Sequence, residues 1–255
     1  MEIRIFDRGE DVASAAAARI VRAIAEEPSL VLGLPAGRTP IGAYQRLREA
    51  HAAGQVDFGR VRTFTLDEFA GIEGTHPASF CRFVREHLID VVNVSPLHAH
   101  FLDGAAPDLD VECRRYETEI SRAGGLGLQL LGIGANGHVG FNEPAAELQP
   151  RTHRVSLHED TRRDNADRFG GDLSRVPTDA ITMGMATILN ARCLVMIATG
   201  ARKAAAIAKA LEGPLTTHVP ASLLQTHSQV EVYLDRGAAS GLGGAGRSAV
   251  FRGSF

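Results

Sequence analysis

The chain predicts an α/β fold: one doubly wound domain whose mostly parallel sheet carries helices on both faces, Rossmann-like in layout. Three observations lead there. Short apolar runs alternate with segments of helical periodicity along nearly the whole chain. Three of those runs, ending near Leu34, Leu66 and Ile133, pass directly into small, polar or acidic residues, the pattern of chemistry placed at strand ends. A length of 255 residues with 44% hydrophobic and 22% charged residues suits a single core of generous size.

Glu2–Phe6 alternates as an edge strand does, and Asp11–Glu26 is an alanine-rich helix. Leu30–Leu34 is a short, apolar strand. Thr39 is expected to cap the next helix, with Pro40 in the first turn, where its missing N–H costs nothing, and Tyr44, Leu47 and Ala50 on one face. Val61–Leu66 is a strand, Pro77–Ile89 and Asp108–Ala123 are helices, and Leu126–Ile133 is the strand that feeds a glycine-rich loop. Residues 151–177 are polar and charge-dense, long for a connection, and are expected to form a lid or binding loop. A helix over Ala180–Leu189, a strand over Leu194–Ala198 and a helix over Ala201–Leu211 complete the alternation. The domain is expected to span 1–236, with a flexible, glycine-rich tail over 237–255.

Several function classes are disfavoured. No apolar run approaches the roughly 20 residues that span a bilayer, and the N-terminal residues lack a signal pattern, so the expectation is a cytoplasmic protein with no membrane partner. A net charge of -3 without a dense basic run gives no argument for nucleic acid. Cys81, Cys113 and Cys193 are isolated and odd in number, which argues against a disulfide framework or a zinc ribbon. His98 and His100 share a strand face but lack a third ligand at suitable spacing, so no metal is expected there.

Two turns point to an anion. In LGLPAGRTP (32–40) a strand, a glycine turn and a helix N-terminus follow one another, which directs backbone N–H groups and the helix dipole to one spot around Gly37, Arg38 and Thr39. TGARK (199–203) repeats the design, and Lys203 stands where a cation opposes the helix dipole, so an external anion gives it a reason to be there. The central loop LGIGANGHVGFNEP (131–144) also satisfies G-x-G-x-x-G through Gly132, Gly134 and Gly137, with Glu159 downstream. That match fails on context, because Gly140 and Pro144 interrupt the helix a dinucleotide fingerprint opens. What the loop delivers is Asn136, His138, Asn142 and Glu143. Histidine is the side chain whose ordinary charge change falls near neutral pH, which suits His138 to proton transfer, with Glu143 to orient it. Asp67 and Glu68 close another strand; alternation turns them to opposite faces, so one of the two is expected to meet a ligand.

Taken together, LGLPAGRTP, TLDEFAG, HPASF, GANGHVGFNEP, DAITMGMATIL, TGARK and PASLLQTH resemble the glucosamine-6-phosphate deaminase family over nearly the whole chain. GHVGFNEP is the specific part, since the related 6-phosphogluconolactonases lack the Asn-Glu-Pro continuation. The resemblance implies conversion of glucosamine 6-phosphate and water to fructose 6-phosphate and ammonia, with no metal and no organic cofactor. By the same resemblance Asp67 moves a proton between carbons 2 and 1 of the opened sugar, His138 assists ring opening, and Asn136 and Glu143 support His138. Gly37–Thr39 and Lys203 hold the phosphate. Arg38 stands where the family usually has glycine or serine. The lid arginine, Arg168, falls one residue beyond its expected spacing, which Asp167 takes instead. A galactosamine-6-phosphate deaminase, a lactonase and a non-catalytic sugar-phosphate-binding regulator are the alternatives, and a homo-oligomer is compatible with the sequence.

Overall fold

The computed structural model describes residues 1–243. Its frame is a seven-stranded sheet, built from Glu2–Phe6 (β1), Val31–Leu34 (β2), Arg62–Thr65 (β3), Ala99–His100 (β5), Leu128–Leu131 (β6), Cys193–Ala198 (β9) and Val230–Asp235 (β10). The spatial order is β1-β10-β9-β6-β2-β3-β5 and every pairing is parallel, for example Leu32 opposite Leu128 and Leu130 opposite Val195. β1 lies at an edge, as its alternation predicts. β2, β6 and most of β9 are buried on both faces. Alternate residues of these strands feed two cores: Leu128, Leu130, Val195 and Ile197 meet helices Gly9–Glu26 (α1) and Pro40–Ala52 (α2), while Leu131, Leu194 and Met196 meet Leu109–Arg122 (α4), Met185–Leu189 (α6) and Ala204–Glu212 (α7). The predicted layout of helices on both faces of a parallel sheet is thus the observed one.

The strand order fixes where a ligand belongs. From β2 the chain winds one way, through β3 to β5; from β6 it winds the other way, through β9 to β10. The switch between β2 and β6 splays the two loops that leave their carboxyl ends and opens a crevice there.

A second, antiparallel sheet of three strands, Asp67–Phe69 (β4), Asp179–Thr182 (β8) and His153–Ser156 (β7), sits beside this crevice. Two helix expectations change here, and the segment expected as a lid or binding loop takes on structure of its own. The helix expected over Ala180–Leu189 is a strand followed by the short helix α6. The change comes at Gly184, where a Cβ would lie 2.2 Å from the Arg151 carbonyl oxygen, so backbone packs against backbone and the chain must turn. Residues 151–177 are no structureless connection. They hold β7, a helix Glu159–Asn165 (α5) and a 3-10 turn Ala166–Phe169, and they bury Leu157, Phe169 and Val176 with Phe69, Phe80 and Phe141 in a third core. The helix expected over Pro77–Ile89 starts only at Phe80 (α3, Phe80–Val84), where Ser79 accepts the Arg82 N–H, and it continues as a π turn over Arg85–Ile89.

Two further corrections are local. Thr39 has helical dihedrals itself and its side chain makes no cap bond, so it begins the helix without capping it. The tail does not start at residue 237: Ala238–Gly241 forms a 3-10 turn and Ala238, Ala239 and Leu242 are buried. The remainder of the expected tail lies outside the described residues. The strand β10, which the sequence reading passes over, supplies the neighbour that β1 pairs with.

Candidate active site

A cleft of about 800 Å³ occupies the switch crevice. Its floor and walls are the strand ends and turns singled out in the sequence. The first turn follows β2. Gly37 takes a positive φ of 109°, which a side chain would resist, and the buried Tyr44 hydroxyl donates to the Pro35 carbonyl at 2.5 Å and pins the turn to α2. Gly37, Arg38 and Thr39 line the cleft. The second turn follows β9. Gly200 has φ 87° and its N–H donates to the Asp235 carboxylate at 2.9 Å, which also accepts the Ala238 N–H at 2.7 Å. That anchor presents Lys203 to the cleft just ahead of α7. Burial, with the Arg202 charge nearby, holds the Lys203 ammonium below its usual pKa while Asp164 opposes the shift.

The loop after β6 carries His138 into the cleft. A Cβ on Gly134 would lie 2.3 Å from the imidazole, so only glycine leaves room for the ring, and the Gly134 N–H closes the loop on the His138 carbonyl at 2.9 Å. No helix follows Gly137, consistent with setting aside a dinucleotide site. Asn136 and Glu143 do not line the cleft; they stand behind the imidazole. The Asn136 carbonyl oxygen accepts the His138 N–H at 3.1 Å, and its amide donates to Glu143 at 3.0 Å. Glu143 Oε2 lies 3.6 Å from His138 Nδ1. Asn142 is structural, donating to the Val139 and Met183 carbonyls at 2.9 and 2.8 Å.

Burial alone would raise the Glu143 pKa. Interaction with His138 and hydrogen bonds from Thr161 and Asn136 outweigh it and bring the group down to about 2. The His158 N–H adds a bond at 3.2 Å, and the Thr161 hydroxyl approaches His138 Nδ1 at 3.4 Å. Thr161 and His158 are absent from the sequence-based site. Thr161 opens the TRRDN stretch, a signal that was available; His158 had none.

Asp67 and Glu68 divide as alternation requires. Glu68 turns away from the cleft and accepts the Ser79 hydroxyl at 2.6 Å and the Cys81, Phe69 and Phe80 N–H groups at 2.9, 2.9 and 3.1 Å. Asp67 lines the cleft and is 6% exposed, and among the described residues no hydrogen bond to its carboxylate is found. Burial, with the Glu68 charge beside it, raises its pKa to about 8 against the opposing pull of Arg168. Arg168 also borders the cleft, its guanidinium resting 4.9 and 4.8 Å from the ring centres of Phe80 and Phe83.

The rim is charged. Arg38 on the first turn pairs with Asp167, and Arg202 on the second turn pairs with Asp164 at 3.3 Å. Both aspartates belong to residues 151–177, so that segment reaches over the cleft to each turn. Every residue expected in the site therefore either lines the cleft or backs a residue that does. His98 and His100 do not contribute: His100 stacks on Phe64 with ring centres 4.4 Å apart, remote in the fold at the β5 edge.

The chain is similar to known proteins over most of its length. Residues 7–233 match the family model described as glucosamine-6-phosphate isomerases/6-phosphogluconolactonase. The chain is 46% identical over 243 residues to glucosamine-6-phosphate deaminase 2 of Bacillus subtilis, covering 95% of this chain and 98% of that protein. It is 42% identical over 240 residues to the glucosamine-6-phosphate deaminase of Thermoanaerobacter sp. strain X514, covering 94% of each. The solved structure of a monomeric glucosamine-6-phosphate deaminase superposes with a TM-score of 0.91 at 39% identity, covering 94% of this chain and all of that one. The 6-phosphogluconolactonase of Trypanosoma brucei shares the fold, with a TM-score of 0.75 at 19% identity and 95% and 98% coverage.

Proposed function

The chain belongs to the glucosamine-6-phosphate deaminase family, and we propose that its cleft converts glucosamine 6-phosphate and water to fructose 6-phosphate and ammonia. The observation that carries the reading is the pairing of a solvent-shielded carboxylate, Asp67, with a carboxylate-backed imidazole, His138, on one cleft lined by two anion-directed turns. Aldose-to-ketose conversion asks for that set: a base at the carbon acid, a shuttle at the ring oxygen, and an anchor that fixes both distances.

In the proposed sequence, the phosphate rests on the Gly37–Thr39 backbone turn, Arg38 and Lys203, with the N-terminus of α2 behind it. His138 moves the proton of the C1 hydroxyl to the ring oxygen as the C1–O5 bond breaks. The ionised Glu143, held by the Asn136 amide, supports the imidazole, and Asn136 also fixes the His138 backbone. Asp67 takes the proton from C2 and returns it to C1, and water then replaces nitrogen at C2, releasing ammonia. The substrate's own ammonium, carried on C2, lowers the Asp67 pKa and stabilises the electron-rich enol. Arg168 adds a further positive charge near this carboxylate. Every group named comes from one chain, so the chemistry as proposed needs no second copy. The proposal places the enzyme in the cytoplasm, acting on a charged sugar phosphate that membranes retain.

An ammonia assay coupled to fructose 6-phosphate detection, run on glucosamine 6-phosphate, galactosamine 6-phosphate and 6-phosphogluconolactone, tests the reading. Ammonia and fructose 6-phosphate in equal amounts from the first substrate support it. Hydrolysis of the lactone without ammonia release overturns it.

A further inference from the structure

The two turns that border the phosphate subsite already hold anions of the chain's own making. Arg38 pairs with Asp167 and Arg202 pairs with Asp164 at 3.3 Å. The two aspartates lie three residues apart, on α5 and on the 3-10 turn that follows it, so one short segment reaches both turns across the mouth of the cleft. The side chains of Arg38 and Asp167 are 77% and 75% exposed. An ion pair in that setting contributes little to stability, about 0–1 kcal/mol, so it adds little to folding and yields readily to a stronger anion. A phosphate ester carries up to two charges and three acceptor oxygens, and on this turn it also gains the α2 N-terminus, which the Asp167 carboxylate does not reach from the rim.

We infer that Asp167, seconded by Asp164, is an internal counter-anion that holds the rim cation until the substrate's phosphate displaces it, so that this one carboxylate sets phosphate affinity and ties the position of residues 159–169 to phosphate arrival. The inference rests on the proposed sugar-phosphate reading of the cleft. Its chemical content is a competition: each phosphate that binds releases Asp167 to solvent, and the lid segment loses one of its two tethers as the cleft fills. Asp167 is thereby an affinity-setting residue that touches neither the reacting carbons nor the base.

The test is calorimetric titration of the full chain with inorganic phosphate and, separately, steady-state kinetics with glucosamine 6-phosphate, for wild type, Asp167→Asn and Asp160→Asn. Asp160 lies on α5, just before that turn, with its side chain 85% exposed and paired with Arg163, so its variant makes the same change in net charge without touching the rim. The expected result is phosphate binding about two- to fivefold tighter in Asp167→Asn and unchanged in Asp160→Asn. KM should fall by a similar factor while kcat holds. Amide exchange over residues 159–169 should rise in unliganded Asp167→Asn and respond less to phosphate than in wild type. Equal affinities in wild type and Asp167→Asn, an equal gain in the Asp160→Asn control, or weaker binding in Asp167→Asn would each overturn the inference; the last would make Asp167 a support that orients Arg38. Wild-type protein that binds phosphate yet releases no ammonia from the sugar would reject the deaminase reading and leave the competition to be judged on phosphate alone. Wild-type protein that binds no phosphate would overturn both.

Discussion

Asp67, which lines the cleft, and Glu143, which backs the cleft residue His138, are two carboxylates of similar burial, 6% and 4% exposed, and their proton affinities are driven in opposite directions. Glu143 is surrounded by donors: the Asn136 amide, the Thr161 hydroxyl, the His158 N–H and the His138 ring together hold it ionised down to about pH 2. Asp67 has no hydrogen-bond donor among the described residues and a like charge next to it, and with only the Arg168 charge in opposition its pKa is raised to about 8. Burial opposes ionisation at both places; what differs is how much nearby favours the charged form, a set of donors at Glu143 against one distant-acting cation at Asp67. One carboxylate is thereby fixed as a permanent charge behind an imidazole, and the other is left poised to exchange a proton. The pair shows how a single cleft assigns different work to the same functional group.

The largest expected effect comes from equalising the two at Asp67. Asp67→Asn should lower kcat for ammonia release by about 10²–10⁴-fold while sparing substrate binding, because the amide keeps the shape but takes no proton. The same change should raise the melting temperature at alkaline pH. With its folded pKa raised, Asp67 contributes stability that is fully present below the ordinary aspartate range and is lost as pH rises through about 8, so the gain from Asn grows across that interval and then levels off. A thermal melt series from pH 5 to pH 9 reads it. Glu143→Gln attacks the other partner. It removes the permanent charge and should reduce kcat about 10- to 100-fold, measured by the coupled ammonia assay.

Lys203→Ala comes next: KM should rise about tenfold while stability stays near wild type, since what is removed is a half-buried cation whose desolvation is only partly offset by Asp164. Calorimetry with a phosphorylated and an unphosphorylated sugar checks it, and equal losses for both would exclude Lys203 as a phosphate ligand. The smallest catalytic effect should come from Glu68, the neighbour of Asp67. Glu68→Gln leaves some of four buried donors without an acceptor and should cost about 1–3 kcal/mol in denaturant unfolding, with kcat changed only a few-fold. A loss at Glu68 as deep as that at Asp67 would mean that both carboxylates face the substrate and that alternation along the strand does not separate them.

Much of this arrangement is legible in the chain because glycine turns and apolar strands are local signals. Gly37 and Gly200 take positive φ that a side chain would strain, Gly134 leaves room for the His138 ring, and each lies at a strand end where the cleft opens. The small antiparallel sheet is not legible, for a physical reason. β4, β7 and β8 are three or four residues long, and β7 alternates only between half-buried and exposed, so no internal periodicity separates them from helix or loop. Their pairing depends on Phe69, Phe141 and Phe169 meeting from distant parts of the chain. The same holds for Thr161 and His158, whose roles depend on α5 packing behind the central loop. Arg38 and Asp167 lie 129 residues apart, and neither alone hints at the other.

The contrast between the two carboxylates is tested most directly by a pH titration of the side-chain carboxyl carbons in protein labelled with ¹³C at aspartate and glutamate, the Asp67 and Glu143 signals assigned by their loss in Asp67→Asn and Glu143→Gln. The account predicts an Asp67 midpoint near pH 8 and a Glu143 signal that stays in its ionised position until about pH 2. Two midpoints together in the ordinary carboxylate range, near pH 4, would contradict it.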